Sequence, residues 1–326
     1  MRKYIVYNAI VLIIFFILPL FLVNKKKINT SSDIINTQNN EIQANENDKI
    51  KLLHKDTNEV EEMDLEEYIK NVVSAEMPAK YDEEALKAQA VVARTYTVYK
   101  IKKSSKHKEA DICDKSDCCQ AWISKEERMK KWDESQKDEY WNKIEIAVNS
   151  TKGQIITYND EPINAFFHSN SGGKTQIPLY VWGGEGYPYL QVVETSGEEN
   201  YSQYKSEIEL SKEEFEEKIK EKHENFSIDF KEEKCIEITE RDESDRVKKI
   251  KIGNLELSGV EVRTILKLRS ANFTVETLKN NIKFYVIVYG HGVGMSQTGA
   301  DAMAKLGSNY REIIQHFYTN VEIKEL

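Results

Sequence analysis

Leu65-Glu66-Glu67-Tyr68-Ile69-Lys70-Asn71-Val72-Val73-Ser74-Ala75-Glu76-Met77-Pro78 is the stretch on which the fold turns. Leu65, Ile69, Val72 and Val73 recur at helical spacing, and Pro78 marks where that helix must stop. A second helical pattern runs from Glu83 to about Lys102, with Leu86, Ala90, Ala93 and Thr97 on one face. Its small residues Ala85, Ala88, Ala90 and Ala93 permit close approach to a neighbour. One further turn of the first stripe lands on Glu76, so a carboxylate shares the apolar face of its helix. Removing a carboxylate from water disfavours its charged form and raises its pKa, the condition for a general acid near neutral pH. The structural alternatives are a helix-end glutamate rescued by Lys80 or Arg94, and a helix that stops before Glu76.

Outward from this pair the texture changes. Residues 49–63 read as a short strand and turn. From Gly153 onward, β-branched and aromatic runs at Gln154–Tyr158, Ala165–His168, Ile250–Ile252 and Ile282–Tyr289 are divided by glycines and turn residues, which predicts strands. The charged stretch Ser206 to His223 predicts one inserted helix with Phe215 and Ile219 facing in, and Gln297 to Lys305 predicts a last helix. The expected fold class is α+β: a helical segment carrying Glu76, then a mainly β region with an inserted helix, in one elaborated domain over 49–326.

The N-terminal residues predict something different. Tyr4 to Val23 is almost wholly apolar and follows Arg2 and Lys3. It is long enough to span a bilayer and lacks a small-residue cleavage site. This predicts an uncleaved membrane anchor at 1–27 and a single-pass protein whose domain lies outside the cytoplasm. Residues 28–48, rich in Asn, Ser, Thr, Gln and Glu, have the composition of a flexible linker. The net charge of −9 and the absence of a phosphate-cradling Gly-rich loop argue against nucleic-acid or nucleotide partners.

His107, Cys113 and Cys119 stand six residues apart, with Cys118 adjacent and Asp111, Asp114 and Asp117 interspersed. Such a cluster suits zinc, with Cys118, a carboxylate or water as fourth ligand. A disulfide among Cys113, Cys118, Cys119 and Cys235 satisfies the same residues. Two glycine-bounded loops offer further candidate contacts. Ser169-Asn170-Ser171-Gly172-Gly173 presents hydroxyls, an amide and exposed backbone. The glycines around His291 and Gly294 let the chain approach a ligand or pack tightly, and Ser296 and Gln297 follow.

Three blocks together carry a family resemblance. They are Val72 to Pro78 with Glu84 to Tyr96; Phe167 to Thr175 with Val181-Trp182-Gly183-Gly184; and Gly290 to Ala300. In order and separation, over roughly residues 50 to 320, they resemble the SpoIID family of sporulation proteins and its LytB-like relatives. The resemblance implies a lytic transglycosylase acting on the MurNAc-GlcNAc bonds of peptidoglycan glycan strands during engulfment of the forespore, with Glu76 as catalytic acid. It implies substrate contacts from Lys87, Arg94, Ser169, Ser171, Gly172, Gly173, His291, Gly294, Ser296 and Gln297. It further implies an engulfment amidase of the SpoIIP type as partner, and placement in the mother-cell membrane facing the septal space. For His107, Cys113 and Cys119 it implies zinc, since some clostridial-looking members carry the ion in this region. Two other functions fit the residues: a glycan-binding enhancer of a partner amidase, and a zinc-dependent hydrolase, which no HExxH-like motif supports.

Overall fold

Asp64 accepts hydrogen bonds from the backbone N–H groups of Glu66 and Glu67 and so starts helix α1, Leu65–Glu76. Asp82 does the same for Glu84 at the start of α2, Glu83–Lys102. These N-caps supply acceptors to helix-end donors that otherwise lack partners. The computed structural model describes residues 49–103, 106–183 and 187–326. Within it α2 is the axle of the first core. Buried residues run continuously from Leu86 to Val98 with the exception of Lys87, so the helix is covered on every side. Its neighbours are α1, α4 (Lys137–Asn149), the strand β4 (Gln154–Tyr158) and two C-terminal helices, α8 (Gln297–Lys305) and α9 (Tyr310–Phe317). The alanines allow this crowding, because a helix flanked on all sides has little room for long side chains.

Around this core lie small sheets. The hairpin β1 (Lys49–His54) and β2 (Glu59–Asp64) takes a parallel third strand, β3 (Ile112–Cys113). Strand β4 sits between β5 (Glu161–Pro162) and the C-terminal β14 (Glu322–Glu325). The shortest sheet pairs β6 (Phe167–His168) in parallel with β13 (Met295–Ser296), which brings two distant loops side by side. Helices α3 (Lys125–Lys131) and α5 (Pro178–Trp182) complete this half. A second core forms between residues 205 and 287. It holds β7 (Lys205–Ser211), α6 (Lys212–Lys220), β8 (Ile236–Arg241), β9 (Val247–Ile252), β10 (Leu255–Leu257), α7 (Gly259–Leu266), β11 (Phe273–Thr277) and β12 (Asn281–Ile287). Phe215, Ile219, Ile250, Val262, Phe273 and Phe284 pack at its centre.

The class is α+β, with helices and several small sheets interleaved. Three sequence expectations change. Residues 206–211, expected to be helical, form the strand β7, because Ile208 and Leu210 face one side at alternate positions and the ladder to β12 satisfies their backbone; only 212–220 is helix. Gln297–Lys305 is not the last helix, for α9 follows it behind a capping box of Asn309 and Glu312. The membrane expectation is also corrected. Among the described residues no helix is long and apolar enough to cross a membrane. The longest, α2, has 20 residues but carries Glu83, Glu84, Lys87, Arg94, Lys100 and Lys102, too many charges for a span. The proposed anchor at 1–27 and linker at 28–48 lie outside the described residues.

Arg94 is fully buried in the middle of α2 and ties three elements together. Its guanidinium donates to both oxygens of Glu66, at 2.8 and 2.6 Å, and to the carbonyls of Gln154 and Val148. Glu66 also accepts from the Gly153 N–H at 3.1 Å. Breaking such a pair strands a buried charge. Arg94→Ala should therefore cost about 3–5 kcal/mol, read as a lower urea midpoint, whereas exposed Lys49→Ala, whose partner is exposed Glu62, should cost under about 1 kcal/mol.

Candidate functional site

Glu76 is the last residue of α1, where the chain must turn and where the helix dipole opposes negative charge. Its carboxylate is only partly accessible. Oε1 accepts the Ala121 N–H at 2.6 Å, and the Gln297 side-chain amide supplies a second hydrogen bond. Burial pushes its pKa up to about 7, against the opposing pull of these two donors. Gln297 is itself held by Gln89, whose Oε1 accepts from Gln297 Nε2 at 3.4 Å. The result is a carboxyl group that holds or releases a proton near neutral pH on a rigid mount.

The loop that reaches Glu76 is fixed from two directions. Gln120 is buried and donates to Thr97 Oγ1 at 3.0 Å and Tyr68 Oη at 3.3 Å. One residue earlier, Cys119 joins His107, Cys113 and Cys118 in a cluster whose ligand atoms all lie within 4.8 Å of one another. Cys119 Sγ is 3.5 Å from His107 Nε2, Cys118 Sγ is 3.7 Å from the same nitrogen, and the two sulfurs are 4.0 Å apart. A tetrahedral metal with bonds of about 2.3 Å to sulfur and 2.0 Å to nitrogen requires edges of roughly 3.8 and 3.5 Å. The donor set fits such an ion. All four cysteines are free thiols, so the disulfide alternative is not the arrangement adopted. Burial, together with the neighbouring thiols, pushes Cys119 up to about 12; a bound dication reverses that cost.

From Tyr96, which interacts electrostatically with Glu76, a chain of aromatic rings runs outward. Burial, and to a smaller extent the nearby cysteines and Glu76, raise the Tyr96 pKa, and the Tyr96 ring is 6.4 Å from that of Phe166. Phe166 packs on Trp182 at 4.8 Å, and Trp182 on His291 at 5.0 Å. Trp182 is 52% exposed. A large apolar ring this open to solvent can take an amphipathic ligand against its face. His291 is structurally engaged: Nδ1 accepts the Val293 N–H at 3.0 Å, and the ring also bonds the backbone of Phe167.

The two glycine-bounded loops do come together, but chiefly around a residue the sequence did not flag. Glu198, 1% exposed, accepts from Ser171 N and Oγ, Gly173 N, Thr195 Oγ1, Thr298 Oγ1 and Ser296 Oγ. Ser171 and Ser296 are thus buried and occupied. Gly294 (φ +74°) packs so tightly that an added Cβ would lie 1.9 Å from the Phe166 carbonyl oxygen, and at Gly172 it would meet Val288 at 2.3 Å. Gly173 has open space before it, and Ser169 is half-buried with its carbonyl accepting from Thr298 N. Of the expected contacts, Gln297 is the one shown to hydrogen-bond Glu76. Lys87 pairs with Glu83 and Glu84. Arg94 pairs with Glu66, ten residues before Glu76 and so about 15 Å along α1. Cys118 was foreshadowed by its adjacency to Cys119; Trp182 and Gln89 stood inside the quoted blocks without a pattern assigning them roles. Glu198 lies in a polar run with no periodicity.

Known proteins are similar to this chain in sequence. A family profile described as stage II sporulation protein covers residues 53–158, and one described as a domain of unknown function covers 187–294. The chain is 35% identical over 268 residues to stage II sporulation protein D of Bacillus subtilis, covering 82% of this chain and 76% of that protein. The corresponding protein of Bacillus amyloliquefaciens is 34% identical over 269 residues, with the same shares. An amidase enhancer of Bacillus subtilis is 26% identical over 310 residues, 77% of this chain and 39% of that protein. The chain belongs to the SpoIID family of sporulation proteins.

Glu198 yields a test. Burial pushes its pKa up, but the hydrogen bonds from Ser171, Ser296 and Thr195 outweigh burial and hold it below the usual carboxylate range. A depressed native pKa stabilises the fold above the unfolded value, and that stability is lost as pH falls through the native one. Glu198→Gln turns an acceptor into a donor facing other donors. Unfolding at neutral pH should show a loss of about 3–5 kcal/mol, and this loss should shrink as the pH drops below the unfolded carboxylate pKa.

Proposed function

We propose that this protein is a peptidoglycan lytic transglycosylase in which Glu76 is both general acid and general base. The observation that carries the reading is the placement of Glu76: sunk at a helix end, held by Ala121 N–H and Gln297, and raised by burial to about 7. Among the described residues, burial, the Ala121 N–H and the Gln297 amide set its pKa, and no second carboxylate is one of these groups. Hydrolytic glycosidases in general need two, one to protonate the leaving oxygen and one to act as nucleophile or activate water. A single residue suffices when the nucleophile belongs to the substrate. Protonated Glu76 gives its proton to the bridging oxygen as the bond to the muramoyl C1 breaks. The resulting carboxylate then takes the proton of that sugar's C6 hydroxyl as its oxygen bonds to C1. The strand is left with a 1,6-anhydro end and Glu76 is again protonated. The exposed face of Trp182, backed by Phe166 and His291, suits stacking against a sugar ring.

For the cluster of His107, Cys113, Cys118 and Cys119 the proposed ion is zinc, in a closed site with four protein ligands. When bound it supplies a clamp: Cys119 is fixed, and with it Gln120 and the Ala121 N–H that meets Glu76. The name of the amidase-enhancer relative supports one other reading, in which the protein holds glycan for a partner amidase; that partner is part of the proposal in either case. Digestion of purified strands separates them: anhydro ends support the transglycosylase, reducing ends a hydrolase, and uncut strands the enhancer.

Glu76→Gln should lower strand cleavage by roughly 10²- to 10⁴-fold with the fold intact. The parent rate should fall with an apparent pKa near 7 as pH rises, since the first step needs the protonated acid; cleavage that persists unchanged in Glu76→Gln would sink the mechanism. Because the folded pKa is raised, Glu76 lowers stability progressively between about pH 4.5 and 7, so Glu76→Gln should melt at or above the parent temperature at pH 8. For the metal, atomic absorption should find about one zinc per chain. Cys118→Ser or chelation should remove it and lower the melting temperature. Full thiol titration without any metal would exclude the zinc site.

A further inference from the structure

A cavity of about 240 Å³ opens where the two cores meet, lined by Leu179 and His291 from the first and by Arg246, Lys248, Ser258 and Arg263 from the second. Its charged lining counts three cations, Arg246, Lys248 and Arg263, against one carboxylate, Asp242. That carboxylate is already saturated by Gln176 Nε2, the Ser244 N–H and hydroxyl, and the Arg246 N–H. Lys248 pairs with Glu240 at 2.6 Å. Arg246 is attracted by Asp242, Glu198 and Asp245 without a direct ion pair to any of them, and Arg263 has no such neutralisation among the described residues. Arg246 is 3% exposed, yet its guanidinium reaches only the carbonyls of Lys174, Ser244 and Ser171 at 3.2–3.3 Å. No carboxylate within 4.0 Å pairs with it among the described residues. Arg263, half-buried, makes neither a side-chain hydrogen bond nor an ion pair among the described residues, and it repels both Arg246 and His291.

The backbone adds to this positive field. Ser258 and Val260 place the N-terminal turn of α7 on the cavity wall, where the helix dipole favours an anion, with Ser258 Oγ capping the Glu261 N–H and Glu261 the one acidic residue of that turn. Gly292 (φ +82°) is required to leave the Arg246 guanidinium its place, since an added Cβ would lie 2.1 Å from its Nη2. A half-buried Arg263 with no paired carboxylate among the described residues, beside a buried Arg246 that has nearby carboxylates but no direct ion pair, is costly unless an anion completes it. A planar, bidentate donor of this kind suits a carboxylate. His291 joins the cavity to the Trp182 and Phe166 rings, which lead through Tyr96 toward Glu76.

We propose that this cavity is a carboxylate-binding subsite for the glycan strand, with Arg263 as the charged donor and Arg246 and the α7 N-terminus behind it. The inference rests on the glycan reading above. Two groups of the polymer offer this chemistry, the lactyl carboxylate of a peptide-free muramoyl sugar and a carboxylate of an attached stem peptide.

Binding of the full chain carrying Glu76→Gln, which leaves strands uncut, can be measured on three probes: peptide-free strands, the same strands with their carboxyls amidated, and peptide-bearing strands. Arg263→Gln should weaken binding to a carboxylate-bearing strand by roughly 10- to 100-fold and leave amidated strands unaffected, and Arg263→Lys, which keeps the charge but not the bidentate fork, should restore it only in part. A loss on peptide-free strands assigns the lactyl group, and a loss confined to peptide-bearing strands assigns the stem peptide. Equal binding by the parent to native and amidated strands overturns the subsite while leaving the glycan reading intact. Failure of the parent to bind any strand overturns both.

Discussion

The hydrogen bond from Ala121 N–H to Glu76 Oε1 is the contact on which the proposed site depends. It ties the end of α1 to a loop more than forty residues later in the chain. That loop has few regular backbone bonds of its own, so it must be anchored by side chains. Gln120 is driven into the space between Tyr68 and Thr97, and the sulfurs of the cluster hold the residue before it. A carboxylate placed beside a loose loop would be hydrated and ordinary. Beside a pinned one it loses water and titrates near neutrality.

Two buried glutamates in this fold show that burial alone does not determine ionisation. Glu76 receives two hydrogen bonds and its pKa rises; Glu198 receives six and its pKa falls. The difference follows from the number of donors aimed at the charged form, since each favours the carboxylate while desolvation opposes it. Their roles diverge accordingly. A permanently ionised, saturated group holds two loops in register, whereas an undersaturated one is left with a proton to exchange.

Much of this was legible in the sequence wherever a period was present. The stripe of Leu65, Ile69, Val72 and Val73 pointed to α1 and placed Glu76 on its buried face, and Gln154–Tyr158 emerged as a strand with those bounds. The even spacing of His107, Cys113 and Cys119 pointed to a cluster that the fold does assemble. What was illegible depends on partners remote in the chain. Ser206 to Ser211 carries charges that suit a helix surface, and only the ladder to β12 makes it a strand. Arg94 and Lys87 lie in a shared block with Glu76, but a helix turns them to other faces, toward Glu66 and toward Glu83 and Glu84. Ser171 and Ser296 looked available as polar loop residues and are consumed by Glu198, whose own segment has no periodicity to betray it.

The all-round covering of α2 bears on how the chain comes together as it is made. Its first neighbours, α1 and α4, precede or closely follow it, but α8 and α9 arrive some two hundred residues later. Asp82 N–H waits for Asp301, and Glu84 for the Tyr310 N–H. The second core, whose apolar residues come from 208–286, closes on itself meanwhile. During synthesis from the N-terminus, the first part to start is therefore the last to finish, and α2 keeps an uncovered apolar flank until residues 297–317 have emerged.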